Sequence, residues 1–275
     1  MPEGDTISRT ARTLEWALSG RKVTAFETSA AAVQAAAERH KVVGSVVSGI
    51  ESRGKHLLIR FESGAALHSH MGMRGSWHLY KRDTWRKKGR RARVSIEAGD
   101  VVAACFSPLV LALLSSSEVR HHPTLTRLGP DAAAASFDPL AARERLRHRA
   151  ALEIGVAVLD QTALAGVGNV YKSEVLFLCG VNPFVPVADL HDGILDRIVR
   201  TASEQLKRNL GSRERRTTSS LAPGNLWVYS RAGLPCRRCG AAIRRAYQGE
   251  LRRSTYWCPE CQPVRIEAEP PPQPA

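Results

Sequence analysis

The sequence predicts an α+β protein of several domains: an N-terminal helix with a β-sandwich or barrel, a helical middle, and a C-terminal hairpin stapled by metal. Three observations predict it. Short β-branched runs crowd residues 22–106, helical spacing returns over 128–209, and four cysteines near the end form two Cys-x2-Cys pairs. At 275 residues the length alone suggests about two domains. The pattern divides more finely, into residues 1–127, 128–224, 225–265 and a tail at 266–275.

Ile7, Leu14 and Leu18 recur with alanines at helical spacing, and Gly20 ends that helix. The runs KVTAFET, VVGSVVSGIE, HLLIRFE, SWHLY, RVSIEA and VVAACF then read as strands. A single hairpin could not bury so many faces, so these strands belong to a sandwich or barrel. Three helical candidates follow: LAARERLRHRAALEIGVAVLDQ, VYKSEVLFLCG and LHDGILDRIVRTASEQLKRNL. Gly166, Gly168, Gly180 and Pro183 break them. Residues 211–224 are polar and read as a loop, and the tail EAEPPPQPA is proline-rich and expected to be disordered.

Hydrophobic residues make up 43% of the chain, which excludes wholesale disorder. Lys and Arg total 40 against 26 acidic residues, a net charge of +14 that favours a polyanionic partner. The cations cluster: twelve against two acids over residues 207–253, and eight against one over 81–93. Two such runs, one on a rigid tip, point to nucleic acid. No apolar run reaches the roughly 18 residues of a membrane span, and MPEGDTISRT lacks the form of a secretory signal. The expectation is a cytoplasmic, nucleoid-associated protein with no membrane partner.

Cys236, Cys239, Cys258 and Cys261 have the spacing of a four-thiolate zinc site, with 18 residues between the pairs. One structural zinc ion is expected, because a hairpin alone is marginal in water and the metal supplies folding free energy. Two disulfides are the alternative reading of the same pairs. Cys105 and Cys179 lie in apolar runs and read as inert buried thiols.

Gly166 and Gly168 precede a helix start, where backbone N–H groups and the helix dipole favour a phosphate. Asn169 could add a donor there and Lys172 a charge; an ordinary glycine-rich connection is the competing reading. At the start of the chain, removal of Met1 would leave Pro2 as a secondary amine. An α-amino group titrates at about 8 and a lysine at about 10, so the terminal amine reaches its nucleophilic form more readily. Glu3 beside it is placed for acid–base work. A helix start also favours proline and glutamate for purely local reasons.

MPEGD, SRGKHLLIRF, HSHMGMRG, HHPTLTRLGPD, LDQTALAGVGNVYKSEVLF and PCRRCG…LRRSTYWCPECQ occur in this order. Together they resemble the formamidopyrimidine-DNA glycosylase and endonuclease VIII family of base-excision repair enzymes, from Met1 to about Gln262. The resemblance implies an N-terminal helix on a β-sandwich, a helix–two-turns–helix domain and a zinc finger. It implies Pro2 as the nucleophile that displaces the damaged base, Glu3 as the acid that assists base loss, and Lys55 in β-elimination. Arg253 would grip phosphates and assist δ-elimination, with Asn169 and Arg127 as further backbone contacts. Met73 is the candidate wedge that fills the gap left by the extruded nucleotide.

The stretch Ser107-Pro108-Leu109-Val110-Leu111 lacks the Arg-x-Phe-like element of the purine-type enzymes, and the lesion-capping loop shrinks to about residues 217–225. HHPTLTRLGPD looks closer to endonuclease VIII. The implied activity is therefore a monomeric glycosylase and abasic-site lyase acting on oxidised pyrimidines in damaged duplex DNA, where a poorly paired lesion costs less to extrude. The alternatives are an oxidised-purine enzyme of the same family and a non-catalytic zinc-ribbon DNA-binding protein.

Overall fold

A computed structural model describes residues 2–87, 92–212, 214–219 and 224–264. The expected disordered tail and Lys88–Arg91 of the second basic run lie outside them. The chain divides into two compact units, Met1–Ala133 and Ala134–Ala275.

The first unit contains, in order, α1 (Gly4–Leu18), β1 (Val23–Thr28), α2 (Ala31–Arg39), β2 (Val47–Arg53), β3 (His56–Phe61) and β4 (Ala65–His70). It continues through β5 (Ser76–Lys81), α3 (Arg82–Lys87), β6 (Val94–Ala98), β7 (Val101–Phe106), β8 (Val110–Ser115) and α4 (Ser116–Arg120). The strands form two four-stranded antiparallel sheets, ordered β1-β6-β7-β5 and β2-β3-β4-β8. Leu57, Ile59 and Leu67 from one sheet and Ile96, Ala103 and Cys105 from the other share one core, which makes the pair a sandwich. α1 closes that core with Ile7, Ala11, Leu14 and Leu18.

Two strands, β4 and β8, and three helices, α2, α3 and α4, escape the sequence reading. β4 is buried at Ala65, Ala66, Leu67, His68 and Ser69, so it shows no polar alternation, and β8 follows it as a plain apolar run. α2 is an alanine-rich helix whose inward face is only Val33, Ala36 and Ala37.

The second unit holds α5 (Pro139–Arg147), α6 (Ile154–Ala157), α7 (Asn169–Leu178), α8 (Asp192–Arg208) and the hairpin β9 (Arg244–Gln248) with β10 (Arg253–Trp257). Asp138 caps α5 by accepting the Ala141 N–H at 3.0 Å, with Pro139 at its first turn. The single helix expected over residues 140–161 is two, because the intervening backbone bonds elsewhere. Ile154 N–H donates to the Val185 carbonyl at 2.8 Å, and Gly155 N–H to that of Pro183 at 2.9 Å. Gly155 is required by packing: a Cβ there would lie 2.3 Å from Gln248 Oε1. Among the described residues, no helix is long and apolar enough to cross a membrane.

Candidate active site

In the first unit, Glu3 is the N-cap of α1 and Gly4 its first residue, which puts Pro2 outside the helix. The proline preference for the first helical position therefore does not account for Pro2. Nor does capping account for Glu3: its side chain makes no cap hydrogen bond to the helix, yet it is fully buried. A carboxylate at a helix N-terminus is favoured by the helix dipole, and its burial beside Pro2 puts an acid–base group next to the start of the chain.

Lys55 occupies a two-residue turn between β2 and β3, beyond the last pair Arg53↔His56. Gly54 takes φ +59°, the left-handed conformation a turn of this kind asks of its first central residue. Lys55 is partly buried, and Gly54 N–H donates to Asp131 Oδ2 at 2.7 Å.

Behind Lys55 stands a cluster of imidazoles that the motif reading left without a role. His56 Nδ1 and His68 Nε2 share a hydrogen bond at 2.9 Å. The His56 and His70 rings lie 4.8 Å apart, and those of His68 and His122 5.1 Å. Burial, then the neighbouring imidazoles, pushes His56 down to about 3 and His68 down to about 4. Both are neutral at physiological pH. Gly72 N–H donates to His70 Nδ1 at 3.1 Å, so the neutral His70 ring carries its proton on Nε2. The sequence signal was four histidines spread over three motifs; the pairing of β3 with β4 brings His56, His68 and His70 together, and the turn after α4 adds His122.

Met73 lies in the turn between β4 and β5 and is 70% exposed. Leu109, 72% exposed, packs over Gly72, where an added Cβ would lie 2.8 Å from the leucine Cβ. Arg127 is exposed in the turns after α4.

In the second unit, α7 brings its candidate residues against β10. Asn169, its first residue, donates from Nδ2 to Ser254 Oγ at 3.1 Å, which places it beside Arg253, the exposed first residue of β10. Asn169 Oδ1 is buried without a hydrogen-bond partner among the described residues.

Lys172 corrects the expectation of a charge held out to phosphate. It is 0% exposed, and its Nζ donates to the Ser254 carbonyl at 3.1 Å and to Thr255 Oγ1 at 2.6 Å. It is an internal strut between α7 and the hairpin. The Gly166 N–H is likewise occupied, by Gln161 Oε1 at 3.1 Å. That removes it from the expected phosphate cradle.

Glu174, also on α7, was not singled out by the sequence reading. Its buried carboxylate accepts N–H groups from Trp227 (2.7 Å), Val228 (2.9 Å) and Tyr229 (2.7 Å), and the Thr217 hydroxyl. Burial pushes its carboxyl upward, against the lowering effect of those donors. On the hairpin, the guanidinium groups of Arg245 and Arg252 stand 5.5 and 5.4 Å from the Tyr247 ring centre.

The sulfurs of Cys236, Cys239, Cys258 and Cys261 all lie within 4.8 Å of one another. The pairs Cys236–Cys261 and Cys239–Cys258 are 3.9 and 3.4 Å apart, too far for disulfides. Metal–sulfur bonds of about 2.3 Å in a tetrahedron put sulfurs about 3.8 Å apart, so the four thiols fit a metal ion. Cys105 and Cys179 are buried, and burial pushes their thiols up to about 12 and about 11, the inert state expected of them.

The chain matches the formamidopyrimidine-DNA glycosylase N-terminal domain over residues 1–107 and the formamidopyrimidine-DNA glycosylase H2TH domain over 128–220. It is 39% identical to a probable endonuclease 8 2 of Streptomyces coelicolor, covering 95% of this chain and 94% of that protein. It is 38% identical to the DNA-(apurinic or apyrimidinic site) lyase Nei2 of Mycolicibacterium smegmatis, covering 95% and 99%. The fold resembles that of a Lactococcus lactis formamidopyrimidine-DNA glycosylase bound to DNA containing an abasic site, with TM-score 0.79 and 26% identity over 95% of this chain and 99% of the other.

Proposed function

The chain belongs to the formamidopyrimidine-DNA glycosylase family and is a DNA glycosylase and abasic-site lyase of base excision repair, and we propose that it removes oxidised pyrimidines through a Schiff base on Pro2. The observation that carries this reading is the start of α1. Pro2 lies outside the helix, and the fully buried Glu3, its N-cap, stands next to it in the chain.

In the proposed sequence, the freed Pro2 amine attacks the anomeric carbon of an extruded nucleotide. The glycosidic bond breaks, the base leaves with a proton, and Glu3 supplies the acid–base step that opens the sugar. The iminium acidifies the neighbouring carbon. Lys55 serves the β-elimination that breaks the bond to the 3′ phosphate. Arg253 grips the remaining phosphate through the δ-elimination, and water finally hydrolyses the imine. Asn169 and Arg127 hold the DNA backbone, and Met73 fills the vacated place in the stack.

The four thiolates hold one structural zinc ion, which fixes the hairpin that presents Arg253. The enzyme is proposed to act as a monomer on damaged duplex DNA. The short link between the sandwich strands supports the pyrimidine preference. Phe106 ends β7 and Val110 begins β8, which leaves three residues where purine-type enzymes carry their Arg-x-Phe-like element.

Borohydride trapping on a duplex with a single oxidised pyrimidine tests the reading. The wild type should give a covalent adduct, and Pro2→Gly should lose base release by about a hundredfold or more. Undiminished trapping by Pro2→Gly, or a Met1 retained in the mature protein by mass spectrometry, would overturn it. Faster excision of an oxidised purine in the same duplex would transfer the preference to the purine reading.

A further inference from the structure

Asp131 takes no part in the chemistry above, yet both of its carboxylate oxygens are engaged by backbone amides. Oδ2 accepts the Gly54 N–H at 2.7 Å, and Oδ1 accepts the Ala133 N–H at 3.0 Å. The first bond joins positions 77 residues apart. The second is local, an Asx-type turn that fixes the carboxylate on its own segment. Gly54 is buried, so its N–H needs a partner inside the protein, and the hairpin ladder ends at Arg53↔His56 without supplying one.

The consequence falls on Lys55. A two-residue turn at the end of a hairpin is free to rock about its last strand pair, and Lys55 is the residue it carries. Pinning the amide of Gly54 from outside the hairpin removes that freedom. A bond donated to a carboxylate is also stronger than one between neutral groups. We propose that Asp131 is the positioning residue for Lys55: its carboxylate fixes the Gly54–Lys55 turn and so sets where the lysine ammonium stands during elimination. This inference rests on the role given to Lys55 above.

Asp131→Asn keeps the size of the side chain but presents an amide group to one of the two N–H donors, so one bond must be lost. Single-turnover cleavage of a duplex with one abasic site should then be read in two backgrounds, wild type and Lys55→Ala. A displacement on the order of 1 Å is enough for a large loss. The expected result is that Asp131→Asn slows cleavage about tenfold or more beside an intact Lys55. In the Lys55→Ala background it should slow cleavage by less than about twofold, since groups acting through one another are not additive.

Equal slowing in both backgrounds would overturn the inference, because Asp131 would then act independently of Lys55. So would a slow Lys55→Ala enzyme with an unaffected Asp131→Asn. If Lys55→Ala itself cleaves normally, the role of Lys55 fails, and the inference falls with it in a way these rates make visible. Should Asp131→Asn not fold, Asp131→Ser, which keeps one acceptor and removes bulk, is read in the same two backgrounds against the same outcomes.

Discussion

The two units place comparable numbers of functional side chains by different means. In the first, Pro2, Glu3 and Lys55 sit at the margins of a sandwich whose core is almost wholly apolar, from Ile7 through Leu57 and Ile96 to Leu113. In the second, α7 meets the cysteine hairpin through buried polar groups. Lys172 reaches the β10 backbone, Glu174 gathers three amides, and Asn169 holds Ser254. The apolar cluster beneath the hairpin is small, built on Phe177, Val228, Ile243 and two of the cysteines. Where the core is large, polar side chains are available for chemistry. Where it is small, polar side chains and a metal must hold the fold.

Metal removal should break this comparison most sharply. Chelation, or Cys258→Ser, should unfold the hairpin and cost at least about a hundredfold in DNA affinity, while the sandwich keeps its cooperative melt. Circular dichroism and fluorescence anisotropy on the full chain read both effects. A hairpin that stays folded without metal would show that its polar contacts suffice.

Lys172→Ala comes next. It should cost about 3 kcal/mol in denaturant melts by orphaning the Ser254 carbonyl and the Thr255 hydroxyl and leaving a cavity. It should leave the salt dependence of DNA binding unchanged. A reduced salt slope with normal stability would restore it to the DNA surface.

Acid sharpens the contrast from the other side. His56 and His68 are held neutral in the fold: burial, then neighbouring imidazoles, lowers them from an ordinary 6.5 to about 3 and to about 4. The unfolded chain takes up these protons first, so the stability they contribute is complete above about pH 6.5 and lost as pH falls toward their folded values. Each should cost about 1.4 kcal/mol per pH unit in that window. Urea melts of the sandwich between pH 7 and pH 5 check this, and His68→Asn should flatten the slope. A pH-independent melt would show that the pair is not buried neutral.

The smallest effect belongs to Arg253→Ala. It should weaken binding to all DNA sequences alike and lower the log–log salt slope by about one, without shifting the melt. Competition between unrelated duplexes at several salt concentrations reads it. A change that depended on base sequence would mean that Arg253 reads bases instead of phosphates.

Local signals reached far into this fold. The first helix, six of the strands and the helices α7 and α8 follow from periodicity and their breaking residues, and the cysteine pairs declare themselves because each knuckle is encoded within four positions. Strand β4 stayed hidden because it is buried on both faces, and α2 because alanine alone gives little periodic contrast.

What the sequence determined by itself was therefore whatever short spacing encodes: the elements, the thiol cluster, the Pro2–Glu3 pair and the order of motifs. Only the tertiary structure decided that Lys172 faces inward, that four histidines pack ring against ring, and that Asp131 reaches the turn at Gly54. A side chain's spacing tells which face of its own element it occupies. What covers that face comes from strands and loops tens of residues away, and burial and pairing are set there.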